Sequence, residues 1–258
     1  MPALRIRHAS LGFGARPLWR DLDLEVAPRE FVAVLGSNGS GKTSLLRAVL
    51  GQQTLDSGEI EVGGDPVRRG DRRIGYIPQQ RIVQPGTPLR GRDLVTLGLT
   101  GHRFGLPRTS AAERARIAAA IAAVEASDYA DRPMGTLSGG EQQRLRIAQA
   151  LVDDPVLLLA DEPLSSLDLA HQRAVAGLID RHRRDHDTAV LFVTHDINPV
   201  LGMVDRVLYL AQGRFTVGTP DEVLQSDVLS DLYGTRVEVF RRGDRVFVAG
   251  GVEEAHHL

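Results

Sequence analysis

The segment Gly36-Ser37-Asn38-Gly39-Ser40-Gly41-Lys42-Thr43 has the spacing G-x-x-x-x-G-K-[ST], which suits it to cradle the phosphates of a nucleoside triphosphate. Gly36, Gly39 and Gly41 permit backbone angles that other residues resist, so successive N–H groups can turn toward an anion. A helix opening near Lys42 adds the positive end of its dipole. The Lys42 ammonium would reach the β- and γ-phosphates, and Thr43 offers its hydroxyl to a magnesium ion. Lys42 is the only lysine of the chain; the other thirty basic residues are arginines. A planar guanidinium fork does not thread between two phosphates as a slender ammonium does, so the single lysine stands where a chemical requirement would keep it. An ordinary glycine-rich turn before a helix explains neither the full eight-residue match nor the isolated lysine.

A second polar group follows an apolar run. Val156-Leu157-Leu158-Leu159-Ala160 leads into Asp161-Glu162-Pro163, which puts two carboxylates at the carboxyl end of a strand, where open α/β sheets bind ligands. Such a pair can simply cap a strand. Combined with a phosphate loop, Asp161 can hold a magnesium shell and Glu162 can polarise a water aimed at the γ-phosphate. His195 ends a similar run, Val190 to Asp196 (VLFVTHD), and could donate to the γ-phosphate and hold the water, although a lone histidine is more often structural. In Leu137 to Arg144 (LSGGEQQR), Ser138, Gly139 and Gly140 open a helix with apolar Leu145, Ala148 and Leu151, a second helix terminus suited to an anion. His182 and His186 have the i, i+4 spacing of a metal clamp; with arginines at 181, 183 and 184, a solvated basic face is the stronger reading.

The elements that must position these groups follow from the hydrophobic pattern. Glu30 to Leu35 reads as a buried strand before the glycine-rich loop and Thr43 to Leu50 as the helix after it. The first thirty residues alternate as short β segments, with a turn marked by Gly12 and Gly14, and short strands recur between Gly58 and Ile77. From about residue 88 to 136 the pattern turns helical: Ser110-Ala111-Ala112-Glu113 is a capping box, followed by Ile117, Ile121 and Val124 on one face. Strand and helix alternate again after Ser138, with strands at Val156–Ala160, Ala189–Val193 and Arg206–Leu210 and a helix over Ala170–Arg184, which implies a parallel sheet with covered faces. Residues 237–248 read as a β-hairpin turning at Gly243-Asp244, and 253–258, with His256 and His257, as a frayed tail. The fold class is α/β, in a single domain over 1–258 with an antiparallel β lead-in and an inserted helical subdomain.

Composition narrows the function classes. The 258 residues suffice for one large α/β domain with a small subdomain. A formal charge of −2 provides no global basic field for nucleic acid. Cysteine is absent, which excludes disulfides and thiolate metal sites. Met1 to Ser10 lacks the apolar core of a secretory signal, and no apolar stretch approaches the roughly twenty residues that span a bilayer. Any membrane role must therefore come through a partner.

The order of these motifs across nearly the whole chain resembles the ABC-type ATPases, phosphate-loop NTPases whose signature LSGGQ stands here as LSGGE. The resemblance implies further residues and partners. Phe13 corresponds to the aromatic that stacks on adenine, with Trp19 as the alternative. Gln79 corresponds to the glutamine that contacts magnesium or the attacking water and senses the transporter, with Gln80 one position away. Ser166-Leu167-Asp168 corresponds to the segment that crosses between subunits, and Thr194-His195-Asp196 to the switch histidine. ATP and Mg2+ would be sandwiched between the phosphate loop of one subunit and the Ser138-Gly139-Gly140 turn of another, making the working unit a homodimer. Glutamate at the fifth signature position is a departure compatible with activity.

Among ABC proteins, the chain lacks the sustained heptads of repair types. Ile77 to Gly98 and the closing Leu232 to Val248 resemble ATPase subunits of zinc/manganese importers and, less closely, those of iron-siderophore, haem and cobalamin importers. The expected partners are polytopic permease subunits and, indirectly, an extracellular or periplasmic solute-binding protein, and the expected location is cytoplasmic and peripheral on the inner face of the cell membrane. An exporter subunit and a soluble ABC ATPase are the remaining alternatives.

Overall fold

The computed structural model describes residues 1–14, 16–79, 86–103, 109–165 and 167–250, so Gln80, Ser166, His256 and His257 lie outside the described residues. The chain opens with two long strands, β1 (Leu4–Phe13) and β2 (Arg16–Val26), antiparallel across the turn after Gly14. Gly12 sits inside that ladder, opposite Pro17, so the lead-in is one long ribbon rather than several short segments. Next come β3 (Phe31–Gly36), α1 (Lys42–Val49), β4 (Ser57–Val62), β5 (Asp65–Pro66) and β6 (Ile74–Ile77). Then the chain is helical through α2 (Gly91–Thr100), α3 (Ala111–Ala123) and α4 (Gly139–Leu151). It returns to strands with β7 (Leu157–Asp161), α5 (Leu169–His186), β8 (Ala189–Val193), β9 (Arg206–Ala211) and β10 (Arg214–Gly218). Two short helices, α6 (Pro220–Val223) and α7 (Ser226–Tyr233), precede the hairpin β11 (Val237–Arg242) and β12 (Arg245–Gly250).

The central sheet has the order β10-β9-β3-β8-β7-β6. Its members from β9 to β6 run parallel, and β10 returns antiparallel to β9 at one edge. Each core strand is apolar on both sides because both faces are covered. In β3, Phe31, Ala33 and Leu35 enter the core formed with the helices, while Val32 and Val34 enter the core shared with the second sheet, β2-β1-β4-β5, and α1. The same period of two places Leu158, Ala160, Val190 and Phe192 on the helical side and Leu157, Leu159, Leu191 and Val193 on the other.

Helix α3 begins at Ser110, whose side chain accepts from Glu113 N–H while the Glu113 carboxylate accepts from Ser110 N–H at 2.7 Å, closing both halves of the capping box. Ile117, Ile121 and Val124 are buried. Helix α2 lies so close to α4 that a β-carbon on Gly98 would stand 2.3 Å from the Gln149 carbonyl oxygen. Arg183 corrects the expectation of a solvated basic face on α5: Arg181 and Arg184 are exposed, but Arg183 is buried. Its guanidinium donates to Asp180 at 2.7 Å, Asp205 at 2.9 Å, the Met203 carbonyl at 3.1 Å and the Arg29 carbonyl, over the Phe31 ring. One side chain thereby joins α5 to the entries of β3 and β9.

Candidate nucleotide site

Four adjacent parallel strands end at one edge, and each delivers a polar residue there. β3 runs into the glycine-rich loop and Lys42, β8 is followed by His195, β7 ends in Asp161 and Glu162, and β6 is followed by Gln79. The loop turns tightly against the sheet: Gly36 has φ 144°, and a β-carbon there would meet the Leu210 carbonyl oxygen at 2.1 Å. Only glycine fits that approach. Gly41 precedes α1 without any side-chain cap, which leaves first-turn N–H groups for an external acceptor. The buried Ser40 hydroxyl has no partner. Lys42 is buried, its Nζ donating to the carbonyls of Gly36 at 2.6 Å and Ser37 at 2.9 Å. Burial pulls its pKa down, opposed by the nearby Glu162 and Asp161 charges.

The carboxylates occupy complementary positions. Asp161 is buried, and its pKa is raised by burial and then by the Glu162 charge, with Lys42 and Arg47 opposing and the Tyr76 hydroxyl hydrogen-bonded to it. Glu162 adopts φ 46°, uncommon for a residue with a side chain, and its N–H donates to the Val193 carbonyl at 3.0 Å. Held there, its Oε2 accepts from Gln79 Nε2 at 3.2 Å and lies 3.7 Å from His195 Nδ1. The cluster thus has two carboxylates against one ammonium in a partly desolvated pocket. That imbalance, with the unpartnered Ser40 hydroxyl and the uncapped α1, fits a divalent cation carrying a polyphosphate. Asp161 and the exposed Thr43 hydroxyl are the hard oxygen donors suited to Mg2+. When bound, Mg2+ supplies charge neutralisation for the transferred phosphoryl group.

A cavity of about 210 Å³ adjoins the loop, walled by Ser37 to Ser40 and by Arg16, Pro17, Leu18, Gln212 and Gly213. Phe13 pairs with Arg16 across the β1–β2 turn and is 56% exposed, leaving its ring free to stack. Trp19 has no exposed surface; its ring lies beneath Gly41, 3.1 Å from where a β-carbon would stand, so it packs under the loop and offers no stacking face. Arg16 is a residue that sequence reasoning missed. Nothing in residue type distinguishes it from the other arginines, and only the fold brings it against the loop.

Ser138, Gly139 and Gly140 lie at the start of α4 rather than in this cluster. Ser138 caps the helix: its hydroxyl donates to Glu141 Oε2 at 2.8 Å, and its N–H donates to the same oxygen at 2.7 Å. The signature glutamate therefore closes a capping box onto the serine. A β-carbon on Gly140 would meet the His171 ring at 3.4 Å. Asp168 caps α5, accepting from His171 N–H at 2.9 Å and lying 2.7 Å from His171 Nδ1. Gln143, buried in α4, donates to the Pro163 carbonyl at 3.0 Å and ties this helix to the loop after Glu162.

Comparison with known proteins finds the same fold. The family model for the ABC transporter matches residues 19–165. A structure assigned to a metal-chelate type ABC transporter, in an inward-facing conformation, superposes with a TM-score of 0.80 at 26% identity, covering 96% of each chain. The ADP conformation of MJ1267, an ATP-binding cassette of an ABC transporter, gives 0.78 at 18% identity over 91% of this chain and 98% of that one. The structure of cbiO1 from Clostridium perfringens, part of the ABC transporter complex cbiONQ, gives 0.73 at 23% identity over 89% and 93%. Among the described residues no helix is long and apolar enough to cross a membrane. With its phosphate loop and acidic strand end at the same edge of the parallel sheet and a family match over more than half its length, the chain belongs to the ABC transporter family, as the ATP-binding, ATP-hydrolysing subunit.

Proposed function

We propose that this subunit powers an importer for a metal, and that its site works through the following roles. Phe13 stacks on adenine, residues Gly36 to Thr43 hold the phosphates, and Asp161, Thr43 and Gln79 serve the magnesium shell. Glu162 accepts a proton from the attacking water, with Gln79 and His195 orienting the carboxylate and His195 donating to the γ-phosphate. The observation that carries this reading is the convergence of Gln79 and His195 on one oxygen of Glu162. A base hydrogen-bonded by Gln79, with His195 close beside the same oxygen, is pre-aimed, which lowers the cost of reaching the reactive geometry.

Ser138, Gly139, Gly140 and Asp168 would complete the site of a second subunit, so turnover requires a homodimer seated on polytopic permease subunits at the inner face of the membrane. Residues 88–136 would form the subdomain that meets the permease, within a single ABC domain spanning 1–258. For the cargo we prefer zinc or manganese, delivered by an external solute-binding protein, because Ile77 to Gly98 and the closing hairpin resemble that importer group. The metal-chelate type neighbour, matched over 96% of both chains, favours a second reading in which the metal travels as a chelate. Reconstitution with the cognate permease in liposomes separates the two: ATP-dependent uptake of free Zn2+ or Mn2+ supports the first, uptake only of a chelated metal supports the second, and uptake of neither removes both.

A further inference from the structure

The histidine pair on α5 stands differently from its sequence reading. His182 is half-buried, and its Nε2 is buried without a hydrogen-bond partner. Its ring stacks on that of His186, with centroids 4.3 Å apart and 10° between the planes. His186 Nδ1 lies 3.1 Å from Asp154 Oδ1. One donor atom from each of Asp154, His182 and His186 falls within 4.8 Å of the others. All three line a cavity of about 450 Å³ whose wall includes Ala119 and Ala123 of α3 and Leu178 of α5.

We propose that Asp154, His182 and His186 form a binding site for a divalent first-row transition cation, Zn2+ fitting best, separate from the nucleotide site and independent of the transported solute. Two imidazoles and one carboxylate are the donor set of a borderline cation rather than of Mg2+ or Ca2+, which favour all-oxygen shells. A buried nitrogen with no partner is costly unless a proton donor or a metal uses its lone pair. Donors around a tetrahedral Zn2+ sit about 3.4 Å apart for metal–ligand distances near 2.1 Å. His186 and Asp154 can close that gap by side-chain rotation, since their side chains are 46% and 51% exposed.

The position predicts a consequence. Asp154 precedes the first residue of β7 and His186 ends α5 just before β8, so the site lies at the amino ends of the parallel strands, opposite the nucleotide edge. Five strand residues separate the two edges, about 16 Å of chain. Arg116 of α3 reaches the same Asp154 at 3.3 Å, along with Asp153 and the Val152 carbonyl. A cation that draws Asp154 toward α5 therefore joins α5 to the α4–β7 loop and weakens one tether from α3.

The test is Zn2+ titration by calorimetry on the nucleotide-free full chain carrying His8→Ala, His256→Ala and His257→Ala. These changes remove the exposed His8–Asp21–Asp23 cluster and the tail histidines as competing sites. One saturable Zn2+ per chain is expected, with a rise in Tm and tetrahedral d–d bands when Co2+ is substituted. His186→Gln and Asp154→Asn, both at half-exposed positions, should each weaken binding at least ~10-fold and abolish the Tm rise while leaving the far-UV spectrum and basal ATPase rate unchanged. Absence of a saturable site in the background protein, or Zn2+ affinity unchanged in both variants, overturns the proposal.

Discussion

Glu162 and Lys42 carry the sharpest expectations at the scale of single residues. Glu162→Gln keeps the shape and the contact with Gln79 but removes the basicity, so hydrolysis should fall by about 10²- to 10⁴-fold while ATP binding persists. Size-exclusion chromatography with ATP should then show a trapped dimer; turnover at the parental rate removes Glu162 from the catalytic role. Lys42 is the only side-chain amine of the chain. Its lowered pKa leaves a larger neutral fraction at any pH below the ordinary lysine value than a solvated lysine has, and the neutral amine is the form that acylates. Phosphate oxygens favour the charged form. A small amine-reactive reagent should therefore label Lys42 and the α-amino group, with MgATP protecting Lys42, as read by mass spectrometry beside residual activity. Equal labelling with and without MgATP contradicts the phosphate contact.

At the scale of elements, two helix termini open with different cap geometries, Gly41 left-handed at φ 100° and Ser138 extended at φ −62°, and are used differently. The start of α1 is glycine-capped and open, whereas the start of α4 is closed on itself by Ser138 and Glu141. An arginine at 138 removes that cap, at about 1 kcal/mol, and fills the turn. Ser138→Arg should leave nucleotide affinity of the isolated subunit largely intact, since the phosphate loop belongs to another element, and should block hydrolysis by preventing closure. Mixing it with Lys42→Ala should restore at most one composite site per dimer. Fluorescent nucleotide titration and phosphate release check the two halves, and a strong loss of affinity in the Ser138→Arg subunit counts against a shared site.

For the whole molecule, Arg183 is the side chain whose loss should be felt furthest. It is buried and holds Asp180, Asp205 and two carbonyls at the junction of α5, β3 and β9. Arg183→Met removes the cation while leaving the acidic and carbonyl acceptors in place, and breaking a buried pair this way costs about 3–5 kcal/mol. The half-exposed Arg72, paired with Asp153 at 2.6 Å, should by contrast contribute about 0–1 kcal/mol. Urea unfolding of Arg183→Met and Arg72→Met should show that difference, and equal midpoints would mean that Arg183 is not the tie described.

The sequence by itself determined what depends on neighbours along the chain. The phosphate loop is legible because its function resides in eight consecutive residues, the capping box at Ser110 because its partners are three residues apart, and the core strands because both their faces are apolar. Tertiary structure alone decided what depends on strand order. Gln79, Glu162 and His195 are far apart in sequence, and nothing in their spacing says that β6, β7 and β8 are neighbours whose ends bring them to one oxygen. The same limit hid Arg16, which looks like any other arginine until β2 is laid beside the loop. Burial was the other undecided quantity: Arg183 and His182 share a polar-looking stretch with Arg181 and Arg184, and which side chains of α5 meet the sheet and which meet water follows from the packing of the helix, because polarity describes a residue while burial describes its surroundings.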